Sequence, residues 1–130
     1  METIESNKKN KDIKILVADD SAFMRQYIIG FLHEGGYEDI YEAGDGEEVL
    51  EKYNKIKPDI IFLDIIMPVK DGIDVLQKLM SEKANVIMIS AMGQKNIIEK
   101  AMEEGAKHFF IKPFFTAKDL DIAIKEIIEI

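Results

Sequence analysis

Short apolar runs of β type alternate along this chain with amphipathic segments of helical period, five times over, from Ile13 onward. That alternation predicts a parallel sheet covered by helices on both faces, because each crossover helix must bury an apolar stripe against the strands it connects. Strands are expected at residues 13–18, 39–43, 60–63, 86–89 and 108–111. The first helix is expected over residues 22–33, with Met24, Ile28, Phe31 and Leu32 as its inward stripe, and Gly35-Gly36 ends it. The second packs through Val49, Leu50 and Tyr53 behind a cap formed by Asp45 and Glu48. The third carries Ile73, Leu76, Leu79 and Met80 inward, and the fourth runs over residues 95–104 to Gly105. Thr116 with Asp119 caps the fifth, whose Leu120, Ala123, Ile124 and Ile127 face the sheet.

The third strand is apolar on both faces and so belongs in the centre, whereas the polar second strand suits an edge. With right-handed crossovers the expected fold is a flavodoxin-like, doubly wound α/β sheet of five parallel strands in the order 2-1-3-4-5. Residues 1–12 are polar and read as a flexible leader, and residues 13–130 as one domain.

In such a sheet the working site lies beyond the carboxyl ends of the strands, where their order reverses. The first strand delivers Asp19-Asp20 to that point and the third delivers Asp64. Acids converging from neighbouring strands repel one another unless a cation offsets them, which points to a hard divalent ion held by oxygen ligands. Ser90 and Lys112, at the ends of the fourth and fifth strands, open onto the same rim. A carboxylate is a competent phosphoryl acceptor when its charge is offset and the donor is held in line. Two acids can hold magnesium, a lysine can meet one phosphoryl oxygen, and a serine hydroxyl can meet another.

Composition narrows the field. Acidic residues outnumber basic ones 25 to 17, a formal charge of −8, which repels nucleic acid and anionic membranes. With no cysteine, disulfides, thiolate zinc sites and thiol catalysis are excluded. The apolar runs are too short to span a membrane and the leader lacks a secretory apolar segment, so a cytoplasmic protein is expected. The turn Ala18-Asp19-Asp20-Ser21 has none of the glycines of a dinucleotide site, and no glycine-rich phosphate loop occurs.

Taken together, these motifs resemble the receiver domain of two-component response regulators, particularly the CheY-like chemotaxis type. The resemblance is carried by Asp19-Asp20 with Ser21-Ala22-Phe23-Met24-Arg25, and by Asp64 with Met67-Pro68 and Asp71-Gly72. Ser90-Ala91-Met92-Gly93-Gln94 and Lys112-Pro113-Phe114 complete the set. The resemblance implies that Asp64 accepts phosphate from the phosphohistidine of a histidine kinase. It implies magnesium bound directly by Asp20, mainly through water by Asp19, and by the Ile66 carbonyl. Ser90 would be the hydroxyl switch, Phe109 the aromatic switch and Lys112 the phosphoryl clamp. A cis Lys112-Pro113 bond is also implied, although trans is the default. The output would be a protein partner: a chemotaxis motor-switch or adaptor protein, or a histidine phosphotransfer protein in a relay. A monomer is expected.

Two positions depart from a common receiver pattern. Receivers often carry a polar side chain two residues after the acceptor and two after the hydroxyl switch, where this chain has Ile66 and Met92. Neither can hydrogen-bond a hydrolytic water, so slow autodephosphorylation is expected. Phe109 lacks a phenolic hydroxyl, and His108 before it has no assigned role. Lys95, Lys118, Lys125 and Ile122 are the candidate partner contacts. The enzymatic rival is a phosphatase with an aspartate nucleophile, like the haloacid dehalogenase family. That pattern places a second aspartate two residues on, where Ile66 stands after Asp64 and Ser21 after Asp19.

Overall fold

The computed structural model describes residues 9–67 and 71–128. Residues 1–8 of the expected leader and Pro68 of the Met67-Pro68 motif therefore lie outside the described residues. Among the described residues, the part of the expected leader nearest the first strand is structured. Asn10–Asp12 form a single 3-10 turn, and the Asn10 amide donates to the Gly35 carbonyl at 2.7 Å.

The elements that follow are β1 (Lys14–Ala18), α1 (Ala22–Glu34), β2 (Asp39–Ala43), α2 (Gly46–Ile56), β3 (Ile60–Asp64) and α3 (Gly72–Ser81). After them come β4 (Val86–Ser90), α4 (Lys95–Glu103), β5 (His108–Ile111) and α5 (Ala117–Ile128). All five strands are parallel, in the expected order β2-β1-β3-β4-β5. Every residue of β3 and β4 is buried, whereas β2 and β5, at the two edges, are mostly half-exposed. Sheet position thus follows polarity for β2, β3 and β4, while β5 takes an edge in spite of its Phe-Phe-Ile sequence.

The alternation of side chains along each strand divides the core in two. Leu16, Ile61, Leu63, Val86 and Met88 pack with Val49 of α2, Val75, Leu76 and Leu79 of α3, and Ala101 of α4. Ile15, Val17, Ile60, Phe62, Ile87 and Ile89 pack on the other face with Ile28, Ile29 and Leu32 of α1 and Leu120, Ala123 and Ile124 of α5. The buried stripe of α1 is therefore rotated from the expected one. Ile29 is buried, while Met24 and Phe31 are only half-buried. Phe31 stays at the flank because it stacks edge-on against Tyr27 and Phe115, an aromatic cluster that apolar periodicity does not reveal.

Helix ends follow side-chain chemistry. Ser21, Asp45 and Asp71 accept from the backbone amides of Met24, Glu48 and Ile73, opening α1, α2 and α3. Thr116 and Asp119 bond reciprocally, the capping box expected for α5. At α2 the Glu48 carboxylate reaches one residue further back than a box requires, accepting from Gly44 N–H at 2.6 Å. Of the pair that ends α1, only Gly36 is left-handed (φ +91), a conformation that a Cβ resists.

Candidate phosphoacceptor site

Parallel strands put their carboxyl ends on one edge of the sheet, and the register decides which residues meet there. Ala18 pairs with Leu63, and Asp64 pairs with Ile89, so Asp19, Asp64 and Ser90 follow on three adjacent strands. Asp19 and Asp64 are 1% and 5% exposed, while Asp20 faces solvent. Carboxylate oxygens of Asp19, Asp20 and Asp64 all lie within 4.8 Å of one another. From the residue just past β5 the Lys112 ammonium reaches across to Asp19 Oδ2 at 2.5 Å and Asp64 Oδ2 at 3.0 Å.

These contacts set the electrostatics. One ammonium shared by two buried carboxylates leaves a net negative charge where little water can screen it. Burial raises the Asp64 carboxyl above the ordinary carboxylate range; Lys112 opposes this, and neighbouring Asp19 adds to it. Burial alone would lower the Lys112 ammonium, but its bonds to Asp19 and Asp64 prevail and raise it. The lysine is thus held cationic beside an acid that is incompletely neutralised.

The donor set suits a hard cation. All three side chains are carboxylates, their separations match oxygens sharing one ion, and exposed Asp20 leaves a wet side for water ligands. Among the described residues this is the one cluster of its kind.

Backbone contacts hold the acids in place. Asp19 Oδ1 accepts from Ser21 N–H at 2.9 Å, Asp64 Oδ1 from Ile66 N–H at 3.3 Å, and Ser90 Oγ from Met92 N–H at 3.1 Å. Lys112 N–H donates to the Ser90 carbonyl at 2.9 Å, and Lys112-Pro113 is cis. Ser90 is buried at the end of β4 beside the acceptor strand. Phe109, paired with Met88, is not at the acids; it is half-buried against the core of the α2–α3–α4 face. Ile66 is 56% exposed and Met92 half-buried. Both line one mostly apolar groove of about 580 Å³ between the β3–α3 loop and α4.

Three residues gain roles that sequence reading left open. Arg25 donates from Nη1 to the Asp19 carbonyl at 2.7 Å and from Nε to Glu42 at 2.8 Å, fixing the end of β1 to β2. Its place on the first turn of α1 was the available signal. Gly72 lies on the backbone of Asp64 and Ile65, and its N–H donates to the Ile65 carbonyl at 2.6 Å. His108 stacks on Phe110 with ring centroids 4.6 Å apart, and its Nδ1 accepts from Phe109 N–H.

Comparison with known proteins agrees with this geometry. The family model of the response regulator receiver domain matches residues 15–125. The chemotaxis protein CheY of Listeria monocytogenes is 43% identical over 104 residues, covering 78% of this chain and 87% of the relative. CheY of Thermotoga maritima is 43% identical over 103 residues, covering 78% and 86%. Among solved structures, the CheX-CheY-BeF3-Mg complex from Borrelia burgdorferi superposes with a TM-score of 0.82 at 34% identity, covering 88% of each chain. A strand order, an acidic strand-end cluster and a family match thus coincide, and the chain belongs to the receiver domains of two-component response regulators.

Proposed function

We propose that the protein is a magnesium-dependent phosphoacceptor switch in which Asp64 takes a phosphoryl group from the phosphohistidine of a histidine kinase. The observation that carries this reading is the Asp64 carboxylate, buried yet within 3.0 Å of Lys112 and within a metal's reach of Asp19 and Asp20. One Asp64 oxygen attacks phosphorus, the bond from phosphorus to the donor imidazole breaks, and the electron pair leaves with the imidazole. An ionised carboxylate needs no general base for this attack. Magnesium held by Asp20 and Asp64, by Asp19 through water and by the Ile66 carbonyl would offset the repulsion between acceptor and donor. Lys112 meets a phosphoryl oxygen as a point charge, and the Ser90 hydroxyl meets another.

Phosphorylation then biases two arrangements that already exist. Ser90 turns toward the phosphoryl group and the β4–α4 loop follows, giving half-buried Phe109 room to pack inward. The readout face is α4–β5–α5, where exposed Lys95, Lys118, Lys125 and Ile122 are the candidate contacts. The CheY relatives favour a chemotaxis output through a motor-switch or adaptor protein. The Borrelia relative, solved with CheX, favours a protein partner as well. Among the described residues no helix is long and apolar enough to cross a membrane.

Acetyl phosphate and magnesium provide the test. Intact-mass measurement is expected to show one phosphoryl group on the wild type and none on Asp64→Asn. Rapid multiple turnover would instead indicate the aspartate-nucleophile phosphatase, and transfer of the label to a histidine phosphotransfer protein would indicate a relay.

A further inference from the structure

We propose that Gly72 is a positioning residue for the acceptor site: the missing side chain lets the first turn of α3 rest directly on the Asp64–Ile65 backbone and so sets where the Asp64 carboxylate stands. The inference rests on the reading of Asp64 as the metal-assisted acceptor. A Cβ at position 72 would lie 2.3 Å from the Asp64 carbonyl oxygen, 2.5 Å from Ile65 Cα and 2.7 Å from the Ile65 carbonyl oxygen. All three are backbone atoms, which cannot rotate aside as a side-chain tip can. Gly72 is not among the residues with positive φ, so the demand is for close approach and not for backbone freedom.

The neighbours leave one way to relieve such a clash. α3 is held from its own side by the Asp71 cap at 2.7 Å and by buried Val75 and Leu76. β3 up to Asp64 is held in register by β4, and up to Leu63 by β1. Ile65 and Ile66, just past Asp64 as the last paired residue, carry no strand pairing and are the part that can give. These residues adjoin the acceptor and include the carbonyl assigned to the metal, and Ile66 N–H also bonds Asp64 Oδ1. A displacement there is felt at the carboxylate, not only in packing.

Gly105→Ala supplies the matched control. Its Cβ would lie 2.4 Å from Met80 Sδ, and Gly105 is left-handed at φ +115, so it too should destabilise, but at the α4–β5 turn. Both variants are made in the full chain and compared by urea denaturation, magnesium titration calorimetry and phosphorylation rate at saturating magnesium. Gly72→Ala is expected to weaken magnesium binding by tenfold or more and to slow phosphorylation. Gly105→Ala is expected to lose stability while keeping both within about twofold. A folded Gly72→Ala with wild-type magnesium affinity and rate overturns the proposal, as does an equal loss of both in Gly105→Ala. Should Gly72→Ala not fold, Asp71→Ala loosens the same turn without adding an atom; weaker magnesium binding is expected, and wild-type affinity overturns the proposal. Wild-type protein that takes up neither magnesium nor phosphoryl group would sink the acceptor reading itself, before any variant is compared.

Discussion

The Lys112 ammonium donates to Asp64 Oδ2 across 3.0 Å, between residues 48 positions apart. The same nitrogen contacts Asp19, so one cation holds together the ends of two buried strands. Removing it leaves two crowded carboxylates with no fixed counter-charge. Lys112→Met is expected to lower metal-free stability by about 2–3 kcal/mol, less than for a fully enclosed pair because Asp20 keeps one side wet. Excess magnesium should recover most of that loss. Urea denaturation with chelator and with magnesium checks this; an equal deficit in both would argue against electrostatic crowding.

Asp64 itself is expected to cost stability when ionised. Burial raises its carboxyl in spite of Lys112, so the folded chain holds this proton more tightly than the unfolded one. Its favourable contribution is complete below the unfolded value, about 4, and is lost as pH rises through the folded value. Metal-free Asp64→Asn should therefore match or exceed the wild type at pH 7, with the advantage shrinking toward pH 4. A marked loss of stability at pH 7 would identify Asp64 as a structural cap.

Magnesium should stabilise the fold through the same acids. At tenfold excess over its dissociation constant the expected gain is about 1.4 kcal/mol. Thermal denaturation at fixed ionic strength, comparing magnesium with chelator, measures it. Asp20→Asn should reduce the gain.

On the reading of Asp64 as the acceptor, apolar Ile66 and Met92 offer a hydrolytic water no hydrogen-bonding partner. One such bond is worth about 1 kcal/mol, so Ile66→Asn and Met92→Glu should each shorten the lifetime of the phosphorylated protein by about fivefold to tenfold. Following loss of the phosphoryl mass after removal of donor decides the matter. Unchanged or slower hydrolysis in both variants would reject the shielding role.

Tyr37 offers a test away from the acids. Its buried hydroxyl donates to Asp121 Oδ1 at 2.6 Å, and burial first, with Asp121 second, pushes its ionisation well above the usual tyrosine range. The contribution is fully present below about pH 10 and is lost as pH rises through the folded value. Tyr37→Phe should cost about 1–2 kcal/mol at neutral pH and flatten the fall in stability above pH 10. Denaturant midpoints from pH 7 to 11 would reveal it.

What sequence could and could not disclose divides along the range of the interaction. Strand order was legible because Asp39–Ala43 is polar and Ile60–Asp64 is not, and burial follows that difference. The meeting of Asp19, Asp20 and Asp64 was legible because strand ends in a parallel sheet share an edge. The rotated stripe of α1 was not, since Phe31 is drawn to Tyr27 and to Phe115 by ring contacts. Nor was the grip of Arg25 on the Asp19 carbonyl, or the seat of Gly72 on Ile65, because backbone atoms carry no residue-specific mark. His108 was opaque for a similar reason: its partner is the ring of Phe110, two positions away on the same face of an edge strand.

The span between Asp19 and Lys112 has a consequence for biosynthesis. These two residues, 93 positions apart, directly follow the first and last strands of the sheet in chain order. A chain still on the ribosome carries its carboxylates long before the ammonium that restrains them. On the proposed reading of Lys112 as the phosphoryl clamp, the acceptor site is complete only once the final strand of the sheet has emerged and docked.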